Sequence, residues 1–278
     1  MKRIAIIGAG SWGTALSIIA GRAGHRVKLW SRRMTLADEI NRQRVNSTYL
    51  ASHTIPDGVH ATSELNECLT HAEIVVLAAP SHATRELLVN MSADVHAEML
   101  FVSATKGIEA ESGMRISQVL HEVFFRIETP RFACLSGPSF AEEVAAGQPT
   151  AIVAASHSLK DACEVQSAFS FENLRVYANN DLPGTELGGA TKNVVALATG
   201  MVTGLGYGAN TVAALITRGL AEITRLALME GARAETLMGL AGMGDLILTC
   251  TGQLSRNRAV GHEPVSYTHL TLPTTPYV

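Results

Sequence analysis

The sequence predicts an α/β fold, a doubly wound parallel sheet at the N-terminus followed by an all-α domain. Three observations carry this. A glycine-rich turn, GAGSWG (8–13), follows the β-branched run RIAII (3–7) and leads into TALSIIAGRA (14–23), which has helical composition. Apolar strand-like runs then alternate with helix-like segments as far as residue 156. From Leu187 to Ala232 no strand-like run stands out, and Ala, Gly, Leu and Thr dominate. Strands that read as continuous apolar runs belong to a parallel sheet covered on both faces.

The elements follow in order. VKLW (27–30) is the second strand, and EIVVLAAP (73–80) is a third that ends in proline. MLFVSATKG (99–107), FACLSGPS (132–139) and TAIVAAS (150–156) repeat the pattern. The turn-rich NNDLPG (179–184) divides the chain into an N-terminal domain over 1–181 and a helical domain over 182–263. Two helices of that domain meet at GLGYGAN (204–210), the second ending near Glu230-Gly231. GMGDLILTCTG (242–252) and LSRNRAVG (254–261) read as glycine-rich, turn-like stretches. After GHEP (261–264) the chain turns rich in Thr and Pro and lacks helical periodicity. Residues 264–278 are assigned no fold; a disordered tail and sequence foreign to the domain are the two readings.

Composition excludes several functions. The chain has 278 residues, 47% hydrophobic and 17% charged, with a formal net charge of −3. Such a balance does not suit nucleic acid or an anionic membrane surface. Cys68, Cys134, Cys163 and Cys250 lie far apart without a CxxC pair, so neither a zinc site nor a disulfide framework is expected. They read as thiols of a reducing cytosol. Glycines interrupt the apolar N-terminal run too early for a signal peptide. No stretch approaches the ~20 continuous apolar residues of a membrane span.

Gly8, Gly10 and Gly13 form GxGxxG between a strand and a helix. The first allows a tight turn, the second lets the backbone approach a pyrophosphate, and the third lets helix and strand pack closely. The helix N-terminus then faces the phosphates. This Rossmann-like reading points to a dinucleotide. An acidic residue usually follows about 20 residues later to grip a ribose diol. Here the second strand ends LWSRR, with Ser31, Arg32 and Arg33 in that place. Two arginines suit a 2′-phosphate better, so NADP(H) is preferred, with NAD(H) also accommodated. A solvated basic loop is the competing reading.

Lys192 stands in the small-residue run GATKNVVALATG (189–200). A buried ammonium costs several kcal/mol unless it is paired or neutralised. A lysine whose pKa is pulled toward neutrality can donate a proton to a forming alkoxide and accept one from a hydroxyl. The alternative is a lysine whose stem lies on apolar surface while its head reaches water. On a helix over 187–203, Glu186, Gly189 and Asn193 share a face, and Lys192, Thr199 and Thr203 form a neighbouring stripe. This is the composition of a polar pocket. Lys106, Arg256 and Arg258 suit an anionic substrate, with Ser139, Ser255 and Asn257 as further donors.

Together GAGSWGTAL (8–16), LWSRR (29–33), KGIE (106–109), SGPSFAEEV (136–144), ELGGATKNVVALATG (186–200), NTVAALITRGLAEITRL (210–226), GLAGMGDLILTCTG (239–252) and SRNRAVG (255–261) resemble the bacterial-type NAD(P)-dependent glycerol-3-phosphate dehydrogenases. The resemblance implies reversible reduction of dihydroxyacetone phosphate to sn-glycerol 3-phosphate, a cytoplasmic reaction that supplies glycerophospholipid synthesis. It implies a homodimer as one assembly. It makes Lys192 the proton acceptor. Gly8, Gly10, Ser11, Trp12, Gly13, Arg32, Arg33, Lys106, Ala141 and Arg256 would contact the cofactor. Lys106, Gly137, Ser139, Lys192, Asp245, Ser255, Arg256 and Asn257 would bind substrate. Family members continue past SRNR with further helices, so the helical domain is expected to be incomplete here. Two other readings stay open at this point: a hydroxy-acid dehydrogenase of similar build, and a non-catalytic dinucleotide sensor.

Overall fold

The computed structural model describes residues 1–126 and 130–266. Eight strands form one sheet: β1 (Arg3–Ile7), β2 (Arg26–Trp30), β3 (Val59–Thr62), β4 (Ile74–Leu77), β5 (Leu100–Ser103), β6 (Arg131–Ser136), β7 (Thr150–Ala155) and β8 (Leu174–Asn179). Their order is β3-β2-β1-β4-β5-β6-β7-β8. Helices α1 (Ser11–Arg22), α2 (Met34–Gln43), α3 (Leu65–Leu69), α4 (Ser81–Met91), α5 (Ile116–Val123), α6 (Ala141–Ala145) and α7 (Leu159–Phe169) connect them. Successive residues of β1 feed two cores. Ile4 and Ile6 pack with Leu16, Ile18 and Ile19 of α1 and Phe169 of α7. Ala5 and Ile7 pack with Leu88 and Met91 of α4 and Val119 and Leu120 of α5. Each such buried aliphatic contributes about 1.5–3 kcal/mol, which is why β1 and β4 carry no polar residue between positions 4–7 and 74–77.

The strand order reverses between β1 and β4, and the glycine turn sits there. Gly8 has φ +121°, and a Cβ on it would lie 2.9 Å from the Ala78 backbone that follows β4. A Cβ on Gly13 would collide with the Gly8 carbonyl. Both positions therefore need glycine, and the crevice above the strand ends stays open.

The sheet differs from expectation in three ways. β3 and β8 are edge strands with exposed or half-buried residues among the buried ones, so neither shows the unbroken apolar run that marks the inner strands. β7 runs antiparallel to β6, whereas the sequence suggested uniform parallel pairing. The connection 137–149 holds only the five-residue α6, and it returns the chain in the opposite direction.

Beyond β8 all described elements are helical: α8 (Leu182–Gly204), α9 (Ala209–Met229), α10 (Ala234–Met238), α11 (Asp245–Thr251) and α12 (Arg256–Ser266). Asp181 caps α8 by accepting from the Gly184 N–H (3.0 Å), and it also accepts from the Arg233 N–H (2.9 Å), tying the α9–α10 connection to the start of α8. The GMGDL stretch is not a loop: a π-helical turn, Leu240–Gly244, runs directly into α11. SRNR likewise opens α12, which continues to Ser266 into the region assigned no fold. The remainder of that region, 267–278, lies outside the described residues. None of the described helices is long and apolar enough to cross a membrane.

α12 lies on α8 with almost no side-chain cushion. A Cβ on Gly200 would strike the Arg258 carbonyl, and one on Gly261 would strike the Leu197 carbonyl. Replacing Gly200→Leu is expected to cost at least about 1–3 kcal/mol and to lower Tm by several degrees. Gly208→Ala, at the N-cap of α9 with no atom within 4 Å, should lower Tm far less in the same thermal melt.

Candidate active site

Three distant segments converge on one carboxylate. Lys192, on the inner face of α8, is 7% exposed. Its Nζ donates to Asp245 Oδ1 (2.6 Å) and to Thr249 Oγ1 (2.8 Å). Asp245, only 1% exposed, uses its other oxygen to accept from Lys106 Nζ at 2.7 Å. Lys106 also donates to the Gly137 carbonyl (2.9 Å). The Thr249 hydroxyl donates to the Asp245 backbone carbonyl (2.6 Å), so its oxygen is turned to accept from Lys192. Burial pulls the Lys192 amine down to about 8, helped by the positive charge of Lys106 and opposed by Asp245.

Local structure explains the convergence. The π-helical turn places Asp245 at the first position of α11, with its backbone against α8. A Cβ on Gly188 would sit 2.5 Å from the Ala241 carbonyl of that turn. A Cβ on Gly189 would sit 2.8 Å from Ser136 Oγ and 3.6 Å from the Lys106 stem. The small residues ahead of Lys192 thus let the turn, β6 and the Lys106 loop close on α8. Thr105 anchors that loop by donating to the Ala79 carbonyl (2.8 Å).

The glycine turn forms a second part of the site. Gly10 has no atom within 4 Å of where its Cβ would be, and it precedes the first turn of α1, so the amides there face open space. Ser11 Oγ donates to the Tyr49 carbonyl (2.8 Å). The buried Trp12 indole N–H has no partner, and Trp12 packs with Ala141 against the same core. Arg32 and Arg33 are exposed at the end of β2. Arg33 lies 5.6 Å over the Tyr49 ring and reaches Thr48 Oγ1 (3.5 Å). These groups fit a dinucleotide with an extra phosphate: free amides, an open glycine face and two cations.

A third part is the turn after β6. Gly137 has φ +133° and packs against Ile152. Ser139 Oγ donates to the Gly137 carbonyl (3.2 Å). Pro138 and Phe140 are flanked by Gly244 and Gly252, so this turn abuts both ends of α11. Ser255, buried, caps α12 by accepting from the Arg258 N–H (3.3 Å). Arg256 and Asn257 occupy the exposed first turn of α12, and no hydrogen bond or ion pair joins them to the lysines or Asp245 among the described residues.

Some expectations about neighbours need correction. Thr199 and Thr203 donate to carbonyls of α8 and α11, so their hydroxyls do not accompany Lys192. Glu186 does not serve the lysine directly: it accepts from Arg115 Nη1 (2.8 Å), the Ser117 N–H (2.8 Å) and Ser117 Oγ (2.6 Å). Thr249, Tyr49 and Asn46, whose Nδ2 donates to the Ala9 carbonyl (2.9 Å), escaped the sequence reading. Only Thr249 had a signal, the i+4 spacing from Asp245 on a helix that was read as a turn.

Known proteins are similar to this chain over most of its length. Residues 3–162 match the profile of the NAD-dependent glycerol-3-phosphate dehydrogenase N-terminus, and 181–272 match that of its C-terminus. A glycerol-3-phosphate dehydrogenase [NAD(P)+] of Koribacter versatilis is 52% identical over 264 residues, 95% of this chain and 78% of that protein. One from Clostridium perfringens is 45% identical over 94% of this chain and 78% of its own length. The crystal structure of the Coxiella burnetii glycerol-3-phosphate dehydrogenase superposes with a TM-score of 0.91 at 39% identity, covering 95% of this chain and 80% of that one.

The bridging carboxylate has a measurable signature. Asp245→Asn removes the one group that favours the charged form of Lys192 against burial and Lys106. The Lys192 midpoint is expected to fall below about 8, by about one unit or more. NMR titration of 13C-methylated lysines, with Lys192 assigned from Lys192→Arg, reads that shift.

Proposed function

The chain belongs to the NAD-dependent glycerol-3-phosphate dehydrogenase family, and from that premise we infer how its residues divide the work. The reaction is reduction of dihydroxyacetone phosphate to sn-glycerol 3-phosphate with NAD(P)H, and its reverse. The observation that carries the assignment of roles is the Lys192–Asp245–Lys106 bridge. Lys192 is the acid–base group. In reduction its ammonium gives a proton to the carbonyl oxygen, and in oxidation its neutral amine takes the hydroxyl proton. A midpoint of about 8 keeps both forms accessible near neutrality. Asp245 and Thr249 hold the amine in place, so little geometry has to change during proton transfer.

Lys106 brings a second positive charge to the substrate, beside the Gly137–Ser139 turn. Ser255, Arg256 and Asn257, at the N-terminus of α12, are assigned to the phosphate end, where a helix terminus, an arginine and short donors suit a dianion. The glycine turn, Ser11, Trp12, Arg32, Arg33, Lys106, Ala141 and Arg256 are assigned to the dinucleotide. When bound, its nicotinamide supplies or accepts the hydride. On this reading residues 1–181 form the dinucleotide-binding domain and 182–263 the substrate domain, with Lys106 and the Gly137–Ser139 turn reaching the substrate from the first and Arg256 reaching the cofactor from the second. The product's place in glycerophospholipid synthesis and a cytoplasmic location follow from the same reading; the exposed thiol of Cys163 suits a reducing compartment. Exposed apolar side chains on α8 and α9, among them Val194 and Met229, suit cover by further family helices or by a second copy of the chain.

Two experiments test the roles. Lys192→Ala should lower kcat by about 10²–10⁴-fold while NADPH binding persists, and in the wild type the oxidation rate should rise with pH through about 8 as Lys192 loses its proton. Unchanged kcat in the variant removes Lys192 from the mechanism. Arg32→Ala with Arg33→Ala should weaken NADPH by about tenfold or more and NADH far less, as fluorescence titration would show; equal weakening contradicts the 2′-phosphate assignment.

A further inference from the structure

Between β5 and α5 the chain makes a small hairpin. Ile108 bridges Arg115, and the Glu109 N–H donates to the Met114 carbonyl (2.9 Å). Lys106 stands at its entry and Arg115 at its exit. On one side Arg85 of α4 grips Glu109 through two hydrogen bonds of 2.7 and 2.8 Å. On the other, Arg115 Nη1 donates to Glu186 of α8 (2.8 Å) and to Ser117 Oγ of α5 (3.1 Å). The Arg115 Nε is buried without a partner, so the placement of that guanidinium depends on the Glu186 carboxylate. Glu186 is itself 8% exposed, and all three of its donors come from Arg115 and Ser117. It precedes Lys192 on the same helix by about 9 Å of rise.

We propose that Glu186 is a positioning residue: through Arg115 and Ser117 it holds the 105–115 hairpin against α8 and so keeps Lys106 beside Lys192 and Asp245. The inference rests on the reading of Lys192 as the acid–base group. A buried carboxylate that breaks its pair leaves an uncompensated cation, which makes the contact a firm one. Because α8 carries both Glu186 and Lys192, the hairpin is referenced to the same rigid rod as the reacting amine. The charged and titratable groups that bear on Lys192 are Lys106 from the hairpin side and Asp245 and Cys250 from α11.

The pH dependence of kcat/KM for sn-glycerol 3-phosphate oxidation, taken across pH about 6 to 10, separates positioning from plain structure. In Glu186→Gln the hairpin loosens and Lys106 withdraws. The acid-limb midpoint should then move upward by about half a unit or more, with kcat/KM lowered about 10- to 100-fold. Loss of a negative charge acting directly on Lys192 would move the midpoint downward, and a structural role alone would lower Tm without moving it. A midpoint that stays or falls overturns the proposal. Glu186→Asp should restore part of the wild-type profile. If Glu186→Gln does not fold, Ser117→Ala carries the test: a smaller upward shift supports the proposal and no shift overturns it. Lys192→Ala, run in parallel, keeps the two readings apart. Retained pH-dependent turnover there refutes the role of Lys192, whereas lost turnover with an unmoved Glu186→Gln midpoint refutes only that of Glu186.

Discussion

A single carboxylate shared by two ammonium groups sets the terms for the rest of the structure. Burial works against the charge on Lys192, and a second ammonium beside it adds repulsion. Asp245 offsets one charge and leaves the cluster with a net positive charge. Burial draws the Lys192 amine toward neutrality, and the second positive charge adds to that pull while Asp245 resists it. Without Asp245 the second lysine would act against the first with nothing between them.

The triad imposes strict demands on backbone packing. Its members come from the loop after β5, the middle of α8 and the start of α11, and these must approach closely. Glycines at 188 and 189 allow it by giving up side chains on the face of α8 that meets the π-helical turn and β6. A π turn is a costly irregularity in a helix and is found mostly at functional positions. Here it sets the angle at which α11 begins, and Asp245 is its first residue. The same economy of side chains governs the glycine turn, where Gly8 and Gly13 let β1, α1 and the end of β4 share one small volume.

Much of this was legible in the residues. The inner strands announce themselves because burial on both faces demands unbroken apolar runs. The glycine turn is legible because three backbone constraints fall at fixed spacing. Lys192 is legible because a charge inside a small-residue helix has no cheap explanation. What escaped has a common cause. β3 and β8 are short edge strands interrupted by exposed residues, so their signal over four to six residues is weak. The direction of β7 depends on a connection whose length is marginal. Glu186 and Arg115 are 71 positions apart, and no local pattern reports such a pair. Glu186 was noticed for its helical phase with Gly189 and Asn193, but phase says which face a side chain occupies and nothing about who meets it there. Thr249 was missed because its helix was taken for a loop.

The seam between α8 and α12 has a consequence of its own. Where two helices meet through side chains, rotamers can absorb small slippage. At Gly200 and Gly261 each main chain lies directly against the other's carbonyls, so rotamers there have nothing to absorb with. Sliding α12 by one residue would bring a bulkier neighbour, Val260 or His262, into a slot that admits none. The helix is thus indexed like a key in a ward, and Ser255, Arg256 and Asn257 at its tip inherit that indexing. The placement of that tip is fixed by two absent methyl groups more than a full turn away.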